Sequence, residues 1–151
     1  MKNNLEQDVQ QVAKKEAETG NLYQVLRKGP QNREVIEKAK ALESKLEKLR
    51  QTRTALEKAL KIEHLKEERA NILAQINECE AKVGVNRQEV KAIAKGAEKN
   101  PHLHELLGKF GLRSLSKVQS LFNEIDNLTA RVQHNWEEIR RLDAQIDRLS
   151  E

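Results

Sequence analysis

Val118, Ile125, Val132, Ile139 and Ile146 follow one another at intervals of seven residues. Leu121, Leu128, Leu142 and Leu149 keep the same interval three places later, with Asn135 in the one remaining slot. Five heptads of this kind are a strong constraint. A strand alternates with period two, so it would scatter these side chains over both of its faces, whereas an α-helix collects them into one seam. The first set takes the a positions, all β-branched, and the second takes the d positions. Phe122 and Trp136 both fall at e and widen the seam on one side. A two-stranded coiled coil needs only a and d, so an apolar e face calls for a third surface, in a helical bundle or in a partner's groove.

Composition agrees with long helices. Hydrophobic residues are 37% of the chain and charged residues 34%, a balance that suits narrow apolar stripes on helices with wide wet faces. The expected fold class is all-α: an elongated antiparallel helical bundle or coiled-coil hairpin with a short helical connector.

Four segments follow from the punctuation. Residues 1–30 read as short N-terminal helices, with Leu5, Val9 and Val12 on one side of the first, Gly20-Asn21 interrupting, and Gly29-Pro30 as a strong breaker. Residues 31–83 contain no glycine or proline and read as one long helix. It carries two stripes. Ala39, Leu42, Leu46, Leu49, Leu56 and Leu60 form one, interrupted by Arg53; Ile62, Leu65, Ile72, Ile76, Cys79 and Val83 form the other, interrupted by Arg69. The second is displaced by two residues, roughly 200° around a helix. Either one helix serves two partners or a turn hides near Lys61; with no turn residue there, a continuous helix is preferred.

Residues 84–113 read as a helical connector. Asn86 with Glu89 resembles a capping box opening one helix, and Asn100-Pro101 opens a second that Gly108 and Gly111 end. Residues 114–151 form the heptad helix, with Ser114 as its cap.

No catalytic constellation stands out. Gly108-Lys109 lacks the earlier glycine of a phosphate loop, since Leu103 stands in its place. His102 and His104 would point roughly 200° apart on a helix, a poor chelating pair. Cys79 stands alone, at a core-like position. No enzyme, cofactor or metal is expected. The 84–113 segment has six basic to three acidic side chains, and 114–151 has five to seven. No run of five like charges exists, and stacking aromatics are scarce, so nucleic acid is not an expected partner. The chain has no run of eighteen apolar residues, hence no membrane span, and MKNNLEQDVQQ lacks the apolar core of a signal peptide. A cytoplasmic location is expected.

The partner expected is protein: an amphipathic helix of a client, or a second copy of the chain. The candidate surface is Val118, Leu121, Phe122, Ile125, Leu128, Val132, Asn135, Trp136, Ile139, Leu142 and Ile146. Asn135 either fixes register as a buried polar residue or hydrogen-bonds a partner's backbone. Trp136 either packs on the 31–83 helix or anchors in a binding groove, where tryptophan is a common hot spot. The acidic surroundings of this helix would prefer a partner with basic flanks.

The order of features also resembles a known family. "ALEKALKIEHLKEERANILAQINECEAKVG" (55–84), the connector with Leu106-Leu107, and "LFNEIDNLTARVQHNWEEIRRL" (121–142) resemble the FlgN-like flagellar export chaperones for hook–filament junction proteins, over about 49–149. Glu68-Arg69 with Ile72-Leu73 would match the family's charged-then-leucine run, and Asn135 its first motif asparagine. Glu138 and Ile139 stand where a second asparagine would fall. The resemblance implies a non-enzymatic chaperone that holds an amphipathic helix of a flagellar or type III export substrate. The alternative is a self-associating coiled-coil scaffold or assembly subunit.

Overall fold

A computed structural model describes residues 2–112 and 115–151. Among them lie four α-helices and no strand: α1 Lys2–Lys28, α2 Arg33–Glu98, α3 Pro101–Phe110 and α4 Ser116–Ser150. The protein is all-α. No helix among the described residues is long and apolar enough to cross a membrane.

The breaks fall where backbone chemistry is satisfied locally. After Lys28 the Gln31 side-chain amide donates to the carbonyls of Leu26, Arg27 and Gly29 at 3.0–3.2 Å, covering acceptors that α1 leaves open. Asn32 then accepts from the Val35 backbone N–H at 2.9 Å and starts α2. Asn100 caps α3 as expected, accepting from His102 N and Leu103 N, with Pro101 at the first helical position. Gly111, at φ 82°, donates its N–H to Leu107 O and closes α3. Gly108 lies inside α3 instead of ending it. The expected cap Ser114 lies outside the described residues.

Two boundaries differ from the sequence reading. Residues 1–30 hold one helix, not short ones: α1 runs through Gly20-Asn21. A mid-helix glycine costs about 1 kcal/mol against alanine. Packing outweighs that cost, with Thr19 buried next door and Glu16 held by arginines of α2. The long helix also does not stop at residue 83. It continues to Glu98, so 84–98 belong to α2 and only α3 and its flanks form a connector. Asn86 is not a cap. It is buried in the row Ile76, Cys79, Val83, Asn86, Val90, and this three-four spacing carries the helix through Gly84.

Near Lys61, α2 is continuous. The chain divides into two packed units, one up to Lys66 together with Ile146–Glu151, the other Glu67–Gln145. The first unit holds the early stripe together with Ile62 and Leu65 of the later one, and the second unit holds Ile72, Ile76, Cys79 and Val83. In the first, α1 lies antiparallel on the early stripe: Glu16 Oε2 is 3.1 Å from Arg53 Nε, and a Cβ on Gly20 would meet Leu46 at 4.0 Å. This unit is thinly packed. Ala39 and Thr19 are buried, while Leu42, Leu46, Leu49, Leu56 and Leu60 are half-buried.

In the second unit, α4 runs antiparallel to α2. Lys117 Nζ sits 3.4 Å from Glu89 at one end, and Arg69 Nε 2.7 Å from Asp143 Oδ1 at the other. Between them Val90, Val118 and Leu121 make one buried cluster, and Cys79, Val83, Ile125 and Leu128 make the next. Ile76, Ile139 and Leu142 are almost wholly buried. This is the principal core among the described residues.

Candidate protein-binding groove

The heptad seam of α4 is covered by the chain's own α2. Val118, Leu121, Ile125, Leu128, Ile139 and Leu142 are all buried. Six of the eleven side chains expected to face a partner are therefore core and are not available on the surface. The physical reason is that α2 carries a matching row at the same spacing, and two such rows bury more apolar surface together than either does alone. Val132, Asn135 and Ile146 are half-buried. Asn135 borders a polar recess of about 550 Å³ shared with Gln75, Cys79 and His134.

The two e residues part company. Phe122 packs against both buried clusters. Trp136 stays 40% exposed. α2 closes a and d but leaves the e edge open farther along the helix, where Thr129 and Trp136 occupy successive e positions. There a groove of about 370 Å³ runs between the helices, lined by Val83, Gly84, Thr129 and Val132, with Glu80 and Arg87 at its rim. Trp136 stands one turn beyond Val132. A Cβ placed on Gly84 would meet nothing within 4 Å, so the missing side chain leaves room for an incoming group.

The groove has an apolar floor and one charge of each sign at its edge, with Trp136 one helical turn past Val132 and outside its lining. It presents no nucleophile with a base and no cluster of ligating groups. It can bury apolar side chains of a partner and exchange hydrogen bonds at its rim. Val83, Gly84, Thr129 and Arg87 were missed in the sequence. Thr129 shares the e position of Trp136, which was the available signal. Gly84 reads as a helix breaker, and nothing local reveals that burial of its neighbours holds it in a helix.

Fold and groove together define an all-α helical protein with an apolar surface groove. Neither a known protein family, nor a curated protein, nor a solved structure matches the chain.

Proposed function

We propose that this protein is a non-enzymatic helix-binding chaperone, which seats an amphipathic helix of a client along the e edge of α4. The carrying observation is Trp136, left 40% exposed one helical turn past Val132 of the groove that Val83, Gly84 and Thr129 also line. A helix offers side chains at i, i+3/i+4 and i+7, a repeat that fits a groove flanked by two parallel helical ridges. An indole one turn past the groove supplies the large, rigid contact found at binding hot spots. The resemblance to flagellar export chaperones makes a flagellar or type III export substrate the client class of choice.

The test is direct, because Trp136 is the sole tryptophan. Titrating an amphipathic helical peptide with a leucine stripe is expected to shift its emission to the blue. Trp136→Ala, followed by calorimetry, is expected to weaken binding roughly tenfold or more. Unchanged emission across amphipathic peptides would defeat the reading.

Self-association is the second reading. It is favoured by Val85, 66% exposed, in another groove with Ala81 and Asn86. A dimeric molar mass that Val85→Glu reduces to monomer would support it over a client.

A further inference from the structure

The groove does not end in neutral surroundings. Arg87 stands on its rim, and the same line of α2 continues through Lys91 and Lys95 to Lys99, just past the last helical residue. These four cations recur every fourth residue, a step of about 40° around a helix, so Arg87, Lys91 and Lys95 share one broad face on successive turns. All four are exposed, and none has an ion-pair partner among the described residues. Elsewhere on α2 several cations pair within the helix, Arg33 with Glu37, Lys38 with Glu34 and Lys82 with Glu78, and the unpaired Lys40, Lys45, Lys48 and Lys61 do not form a run of four at one spacing. Like charges at i,i+4 repel and disfavour the helix. The row from Arg87 to Lys99 keeps that repulsion, and among the described residues Glu98, three residues after Lys95, forms no ion pair with it.

We infer that the occupant of the groove is an acidic amphipathic helix, bearing carboxylates at every fourth position along one flank of its apolar stripe. This rests on the groove reading above and names the client's chemistry. A helix seated on the groove and extended past Arg87 passes beside Lys91 and Lys95. Both helices rise by the same amount per turn, so a carboxylate row of the same spacing meets the cation row in register. The expectation of basic flanks came from α4 alone, whose charge is net acidic. The α2 side supplies the unpaired cationic rim and favours the opposite sign.

Two synthetic peptides test it. They share one leucine–isoleucine stripe and differ along one flank, with glutamate at every fourth position in the first and lysine in the second. Affinities come from Trp136 emission and calorimetry at low and high salt. The glutamate peptide is expected to bind roughly tenfold tighter at low salt, with the advantage shrinking as salt rises. Lys91→Glu with Lys95→Glu is expected to reverse the preference, and Lys91→Gln with Lys95→Gln to abolish it, both with unchanged helix content. Equal affinity of the two peptides would overturn the acidic client and leave the groove standing. Binding of neither removes the groove, and this inference with it. Tighter binding of duplex RNA than of the glutamate peptide would overturn it in favour of nucleic acid.

Discussion

Arg53 Nε lies 3.1 Å from Glu16 Oε2, so the arginine that breaks the early leucine stripe of α2 is answered by a carboxylate from the helix covering that stripe. Arg50 Nε approaches the same carboxylate at 3.6 Å. Glu16 keeps only 15% of its side chain exposed, and the contact is a close ion pair without an aligned hydrogen bond. Removing one partner strands the other. Glu16→Leu is expected to destabilise the protein by roughly 1–3 kcal/mol. Adding Arg53→Leu, which restores the stripe, should recover most of that loss. Urea denaturation followed by far-ultraviolet dichroism reads both variants. A double variant no better than the single would show that the pair does not act as a unit.

Arg69 and Asp143 repeat the motif in the other unit, but both side chains are more exposed, at 37% and 47%. Asp143→Asn is therefore expected to cost less than about 1 kcal/mol, and less still in high salt. A loss larger than that of Glu16→Leu would contradict the ranking by exposure.

Core burial predicts a steep contrast. Leu142 is 2% exposed and Leu22 58%. Leu142→Ala is expected to cost roughly 2–5 kcal/mol, whereas Leu22→Ala should stay within about 0.5 kcal/mol. Thermal melts of the two variants decide it. The same contrast holds between units: the early stripe is mostly half-buried, so amides in α1 should exchange with deuterium well before those of α2 and α4 around Ile76 and Ile139.

Asn86 separates the structure from the local reading of its sequence. As a helix cap it would be lost at a cost of about 1 kcal/mol on replacement. In the structure it is 9% exposed with its amide nitrogen buried and unpartnered. An unsatisfied buried donor costs about 1–3 kcal/mol. Asn86→Leu is thus expected to raise the melting temperature, and a fall would show that the buried amide is not a net cost.

Asn86 also marks how far the sequence could be read. The heptads of 118–149 gave a helix and its seam, since five repeats leave little freedom. The Asn100-Pro101 cap and the Gly29-Pro30 break were equally plain, because each acts through its own backbone. What covers the seam was not legible from α4. It depends on a row in α2 that is interrupted by Gly84 and Asn86, two residues whose local preferences point away from a helix and are overruled by burial. Trp136 stood out in the sequence as the sole tryptophan, but its exposure depends on where α2 stops covering the e edge. Such an edge is set by two helices together.

Gly84 allows folding and docking to be told apart. It sits mid-helix, where glycine is worse than alanine by about 1 kcal/mol, and no atom lies within 4 Å of its would-be Cβ. Gly84→Ala should therefore raise stability by roughly 0.5–1 kcal/mol, with only a small change in peptide affinity. Gly84→Leu places a branched side chain into the groove beside Val132. It should fold at least as well as the parent, and it should lose most binding of the amphipathic peptide that shifts Trp136 emission. The pair of measurements is a melt and a titration. If Gly84→Leu binds as tightly as Gly84→Ala, the partner does not lie over residue 84, and the groove between Val83 and Val132 is not where the client sits.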